Sequence, residues 1–208
     1  MASEIELKYA PPADLRAETL FLDSIIAPFS ANRRRFDMHT EYLDTENGDA
    51  KNSGITLRRR FENGESVLYA KCKRYDADAL SVRGEWRVIS DDIVSAAKLL
   101  CDAGAPTKKL CGLPLSVSAS VRFVREEILV TPYDGFSFLL SFDDGVFGEN
   151  THFTEIELEL VSGSEEELVT FGASLAKKYS LAPETRSKYA RALEAGGTCG
   201  IYCNKQMI

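Results

Sequence analysis

Strict alternation of charged and apolar residues runs through most of this chain. Glu4-Ile-Glu-Leu-Lys8 shows it first, and Glu155-Ile-Glu-Leu-Glu159 repeats it late. Period-two patterning marks β-strands, because successive side chains point to opposite faces of a sheet. It predicts strands over residues 3–9, 36–43, 54–61, 66–74, 83–89, 117–130, 136–143 and 152–161. Turn signals at Glu62-Asn-Gly64, Tyr133-Asp-Gly135 and Asp144-Gly145 separate several of these runs. Helical patterns fall between them. One covers residues 11–26 after a Pro-Pro start. Another begins at Ser90-Asp91 and runs to Ala103, ended by Gly104. A capping box at Ser164 opens a helix to Tyr179, and a short helix covers residues 187–194. No long-period repeat, low-complexity segment or linker divides the chain. The expectation is one α+β domain over residues 1–194: a closed eight-stranded antiparallel β-barrel with helices packed outside. Residues 195–208 read as a loose tail.

Composition narrows the functions this barrel can serve. Hydrophobic residues make up 44% and charged residues 27% of 208 positions, as in ordinary globular domains. A formal net charge of −7 argues against nucleic acid as a partner. No run approaches the roughly 20 apolar residues of a membrane span, and no secretory signal is visible, so no membrane is expected and the compartment is read as cytoplasmic. The five cysteines are odd in number and scattered, which suits reduced thiols. Cys199 and Cys203 have no third or fourth metal ligand nearby. Two histidines argue against a histidine-rich metal site or a Ser-His-Asp triad. Cys72 should be a small buried hydrophobe beneath a helix, and Asn32-Arg-Arg-Arg-Phe36 a solvated turn before a strand.

The charged parity carries Glu4, Glu6, Lys8, Arg58, Arg60, Lys71, Lys73, Arg83, Glu85, Arg87, Arg125, Asp143, Glu155, Glu157 and Glu159. The opposite parity carries Ile5, Leu7, Leu57, Tyr69, Ala70, Trp86, Val88, Phe142, Ile156, Leu158 and Leu160. A sheet with one wet face would produce such alternation without any function. The signs segregate, however: acids on the first and last strands, bases on the middle ones. If the sheet closes, the charges point inward, and a barrel of about eight strands holds side chains or one small ligand. Clustered bases then call for an anion, and arginine and lysine suit phosphate. Carboxylates two residues apart on one strand lie about 7 Å apart. Two from each of two neighbouring strands can surround Mg²⁺ or Mn²⁺.

These residues resemble the CYTH superfamily, the triphosphate tunnel metalloenzymes. Its Glu-x-Glu-x-Lys motif is present as Glu4-Ile-Glu-Leu-Lys8. Tyr42-Leu-Asp-Thr45, Leu57-Arg-Arg-Arg60, Lys71 with Arg83-Gly-Glu85, Phe123-Val-Arg125, Phe142-Asp143, Glu155-Ile-Glu-Leu-Glu159 and Ser187-Lys188-Tyr189 follow in family order, over residues 3–192. The resemblance implies a tunnel that binds triphosphates with Mg²⁺ or Mn²⁺. It implies metal ligation by Glu4, Glu6, Glu157 and Glu159 with Glu155 nearby, and phosphate binding by Lys8, Arg58, Arg60, Lys71, Lys73, Arg83, Arg87, Arg125 and Lys188. Glu85 and Asp143 would hold bases or assist the metal and water, so that Glu4, Glu6, Lys8, Glu85 and Asp143 form the catalytic set.

The spacing is most similar to the bacterial inorganic triphosphatase branch, although the histidine-rich helical domain that often follows the tunnel there is missing. The expectation is metal-dependent hydrolysis of inorganic triphosphate, a small-molecule substrate, by a monomer or homodimer. Hydrolysis of thiamine triphosphate or a nucleoside triphosphate is the alternative. Trp86 should face outward, which argues against a thiamine site. A class IV-type adenylyl cyclase and a non-catalytic polyphosphate-binding module complete the range. The module would have little use for so many inward carboxylates.

Overall fold

The computed structural model describes residues 2–62 and 64–196. Asn63 of the expected turn, and residues 197–208 with Cys199 and Cys203, lie outside the described residues. The strands are β1 (Ala2–Ala10), β2 (Ser30–Asp44), β3 (Ile55–Glu62), β4 (Glu65–Ala77), β5 (Leu80–Ile89), β6 (Ser116–Tyr133), β7 (Phe136–Phe147), β8 (Thr151–Ser162) and the two-residue β9 (Ala182–Pro183). The α-helices are α1 (Ala17–Phe21), α2 (Asp49–Asn52), α3 (Ala96–Asp102), α4 (Glu165–Tyr179) and α5 (Lys188–Glu194).

Neighbouring strands run β5-β4-β3-β2-β6-β7-β8-β1, and β1 pairs back onto β5, so eight antiparallel strands close a barrel. β9 only adds a short pairing to β1. β1 is the closing stave. Its Glu4 sits opposite Arg83 of β5, while Glu6 and Lys8 sit opposite Glu159 and Glu157 of β8. Closure therefore brings the first and last acidic strands side by side.

Apolar residues on the outer parity bury under helices, because an aliphatic face left in water would forfeit its burial energy. Leu7, Leu140, Phe142, Ile156 and Leu158 pack with Leu168 and Leu175 of α4 and with Leu20 and Phe21 of α1. Leu57, Leu68 and Ala70 pack with Ala96, Ala97 and Leu100 of α3. The Ser164 hydroxyl accepts from the Glu167 amide and the Glu167 carboxylate accepts from the Ser164 amide, which completes the expected capping box of α4. Gly172 lets α4 lie directly on β1, since a Cβ there would come within 2.3 Å of Leu7 Cδ1.

A third cluster fills one end of the barrel. Met38, Val121, Phe123, Phe147 and Phe153 pack with Tyr189 and Ala192 of α5. Phe123 and Phe153 share the inward parity of Arg125 and Glu155, so α5 seats against the inner wall and splits the interior into an apolar plug and a charged half.

Several expected elements differ. Residues 11–26 hold only α1, and a 3-10 turn (Ala27–Phe29) follows. Arg16 supplies no side-chain cap, and Asp23 captures the Ile25 amide. The helix expected from Ser90 starts only at Ala96. Ser90 Oγ accepts from the Asp92 amide, and Asp92 Oδ1 from the Val94 and Ser95 amides, so local turns replace the first helical turns. Arg33, Arg34 and Arg35 are solvated as expected, but they lie inside β2, beside a bulge, and not in a turn. They pair with Glu18, Glu126 and Glu127. Cys72 is half-buried, not buried.

Candidate active site: a charged tunnel

Thirteen of the residues expected at the site line one cavity of about 730 Å³, its openings included: Glu4, Glu6, Lys8, Arg58, Arg60, Lys71, Arg83, Glu85, Arg125, Glu155, Glu157, Glu159 and Lys188. They come from β1, β3, β4, β5, β6, β8 and α5. The alternation of six separate strands thus converges once the sheet closes, and α5 adds Lys188.

Opposite charges pair across the tunnel in two groups. On the β4–β5 side, Lys71 Nζ lies 2.5 Å from Glu4 Oε1 and 2.9 Å from Glu85 Oε2, and Arg58 reaches Glu85 at 3.8 Å. The Arg58 guanidinium stacks 4.7 Å from the Tyr69 ring centroid, and its buried Nε has no hydrogen-bond partner. On the β6–β8 side, Arg125 donates to both Asp143 oxygens at 2.8 Å and also to Glu157. Lys188 Nζ sits 2.9 Å from Asp143 Oδ2 and 2.7 Å from Glu157 Oε1, and contacts Glu155. Arg191 donates to Glu155 as well.

The electrostatics separate the carboxylates. Burial would raise the Glu4 pKa, but Lys71 outweighs it and holds the group below the usual range. Glu157 is held well below that range because Lys188 and Arg125 overcome its burial. Burial, then repulsion by Glu4 and Glu157, raises Glu6. Burial and Glu4 push Glu159 up to about 7. Burial pushes Glu155 up to about 7, with Lys188 only partly opposing it. Among the bases, burial lowers Lys8. Burial and the charges of Arg58 and Arg125 lower Arg60.

Two carboxylate groupings could hold a cation. Oxygens of Asp143, Glu155 and Glu157 lie within 4.8 Å of one another. Arg125, Lys188 and Arg191 already neutralise that trio. Glu6 and Glu159, opposite one another in the β1–β8 register, have no ion-pair partner among the described residues. Glu4 and Glu157 lie beside them but are already paired, with Lys71 and with Arg125 and Lys188, so the uncompensated charge of this patch sits on Glu6 and Glu159. Such a patch suits a hard divalent ion with oxygen ligands. The orphaned Arg58 Nε and the crowded Arg60 are the matching deficit of negative charge, and suit phosphate oxygens.

Three expected site residues stand apart. Lys73 has the right parity but is 61% exposed in its side chain and pairs with Asp76 at 2.6 Å in a groove outside the tunnel. It lies where β4 bulges, between Lys73 and Tyr75. Arg87 is exposed, and the described residues of β1 pair with β5 only as far as Glu85. Asp143 is fully buried behind Arg125 and does not line the open cavity. It orients a base and does not face the open space.

Tyr42, Thr56, Tyr69, Ser187 and Tyr189 complete the lining; Tyr42, Ser187 and Tyr189 stand in the motifs quoted above, but none of the five was assigned to the site. Thr56 and Tyr69 were detectable, since each lies two positions before an inward base, Arg58 or Lys71. Tyr69 therefore faces inward, not outward; its hydroxyl donates to Glu62 at 3.0 Å. Trp86 does face outward, against the α3 cluster. Arg191 carries no such signal, because only the placement of α5 brings it to Glu155. Among the described residues no helix is long and apolar enough to cross a membrane.

Comparison with known proteins agrees with this fold. HpAC1 from Hippeastrum, an adenylyl cyclase candidate described as having a dominant triphosphatase activity, is 20% identical, with a TM-score of 0.65 over 94% of this chain and 97% of its own. A protein from Bacillus halodurans named as an adenylate cyclase candidate is 17% identical, with a TM-score of 0.57 over 92% and 98%. PH1819 from Pyrococcus horikoshii is 20% identical, with a TM-score of 0.53 over 92% and 99%. At these identities the likeness is one of fold. No curated protein matches the sequence. The CYTH domain model matches residues 2–193, and the chain belongs to the CYTH domain family.

Proposed function

We propose that the tunnel hydrolyses inorganic triphosphate to pyrophosphate and phosphate with the help of Mg²⁺ or Mn²⁺, as in the bacterial inorganic triphosphatase branch. The observation that carries this reading is the coexistence, in one tunnel, of under-neutralised bases and under-neutralised carboxylates. A pure anion binder would gain nothing from Glu6 and Glu159, which would repel the ligand. The triphosphatase activity described for HpAC1 supports the same reaction class.

Arg58, Arg60, Lys71, Arg83 and Lys8 would grip the phosphate chain, with Arg125 and Lys188 reaching it from the opposite wall. Glu4, Glu6, Glu157 and Glu159 would hold the metal, and Glu155 stays under Lys188 and Arg191. When bound, the metal polarises a phosphoryl oxygen and neutralises developing charge. Glu85 holds Lys71 and Arg58 in place, and Asp143 fixes the plane of Arg125. A water held by one of the tunnel carboxylates would attack in line. Positioning and charge stabilisation supply most of the acceleration.

The test is phosphate release from inorganic triphosphate by wild type and Glu6→Gln, with Mg²⁺, Mn²⁺ or chelator. Turnover in wild type that vanishes with chelator and in the variant supports the reading. Turnover that survives chelation removes the metal from it.

A further inference from the structure

The segment Tyr42-Leu-Asp-Thr45 ends β2 at the tunnel, yet the proposed reaction assigns Asp44 no role. Asp44 is 2% exposed. Its Oδ1 accepts from the Thr45 and Ala50 amides, each at 2.8 Å, and its Oδ2 accepts from the Lys51 amide at 3.1 Å. These bonds tie α2 to the end of β2. The fourth bond goes elsewhere: the Tyr189 hydroxyl of α5 donates to Asp44 Oδ2 at 3.2 Å.

Tyr189 is fixed from two further directions. Its ring stacks on Tyr42 with centroids 4.7 Å apart, and its hydroxyl meets Ser118 Oγ of β6 at 3.0 Å. The preceding residue is Lys188, whose ammonium sits among Asp143, Glu155 and Glu157. Consecutive helical residues point about 100° apart, so the orientation of Tyr189 sets that of Lys188. α5 has only seven residues, too short to hold its own orientation without such anchors.

We propose that Asp44 and Tyr189 form a positioning pair that locks the rotation of α5 and thereby delivers Lys188 to the tunnel carboxylates. Asp44 does not line the tunnel, Tyr189 borders it beside Lys188, and both act through Lys188. The inference rests on the proposed triphosphate reading only in that Lys188 serves that reaction.

A double-mutant cycle tests it. Tyr189→Phe keeps the ring stack and removes the hydroxyl. It should lower kcat/KM for inorganic triphosphate about five-fold, the scale of one hydrogen bond. Lys188→Ala should lower it roughly a hundred-fold, as for a lost charged partner. If Tyr189 acts through Lys188, the double variant should match Lys188→Ala within about two-fold. A double variant a further five-fold worse, or an unimpaired Tyr189→Phe, overturns the proposal. Amide hydrogen exchange over residues 188–194 gives a readout without turnover: it should quicken in Tyr189→Phe and in Asp44→Asn. Unchanged exchange in both overturns the pair. If wild type neither binds nor cleaves triphosphate, the proposed function fails, and the exchange experiment still decides this inference.

Discussion

Arg58 stands between two neutralising contacts, Glu85 at 3.8 Å and the Tyr69 ring, and still keeps one buried donor unsatisfied. A buried unpaired donor costs about 1–3 kcal/mol, which an arriving phosphate oxygen would return. Arg58→Ala should therefore lower kcat and raise KM together, with kcat/KM down by roughly a hundred-fold. An unchanged kcat/KM would take Arg58 out of the site. Glu4→Gln should abolish turnover while the barrel still folds, because Lys71 retains Glu85 as a partner. Circular dichroism and phosphate release together check this. At this scale parity in the sequence placed most of the tunnel correctly, since side-chain direction along a strand is fixed by the pleat. It failed at Lys73, beside a bulge of β4, and at Arg87, beyond the described β1–β5 pairing. Neither feature is written in alternation.

The eight barrel strands were legible element by element because each alternates charged and apolar residues where it borders the tunnel. The helices were less so. At residues 90–95 the Ser90 and Asp92 side chains capture backbone amides that a helix would need, and apolar spacing does not report that competition. The position of α5 inside the barrel depends on long-range packing with Phe123, Phe147 and Phe153, which no local pattern encodes. The contact of α4 with β1 yields a prediction of its own. Gly172→Val would drive a branched side chain into Leu7 and Tyr9. Overpacking of this kind costs about 1–3 kcal/mol, or very roughly 2–12 °C in Tm. Because Leu7 lies between Glu6 and Lys8, activity should fall at temperatures well below the new Tm. Wild-type Tm in the variant would mean that the helix does not press on β1.

For the molecule as a whole, a net charge of −7 conceals a tunnel that holds both signs under tension. Glu155 and Glu159 have folded pKa values raised to about 7. Between the ordinary carboxyl value and 7 the folded state binds more protons than the unfolded one, so stability falls as pH rises through that window. Glu4 and Glu157, held low, act the other way: their contribution is present at neutral pH and is lost as pH falls below the ordinary carboxyl value. The metal-free protein should thus lose about 5 °C in Tm between roughly pH 5.5 and pH 8, and Glu159→Gln should remove about half of that loss. A flat profile would mean that Glu159 is not under repulsion.

The central claim is that this tunnel selects a metal-bound chain of three phosphoryl groups. The most direct measurement is phosphate release from inorganic triphosphate, thiamine triphosphate, ATP and a longer polyphosphate, each with Mg²⁺, with Mn²⁺ and with chelator. The expected result is a strong preference for inorganic triphosphate that disappears with chelator. Metal-dependent turnover of an organic triphosphate in its place would contradict the assigned substrate and keep the site. Tight triphosphate binding with no turnover of any compound would contradict the hydrolysis itself.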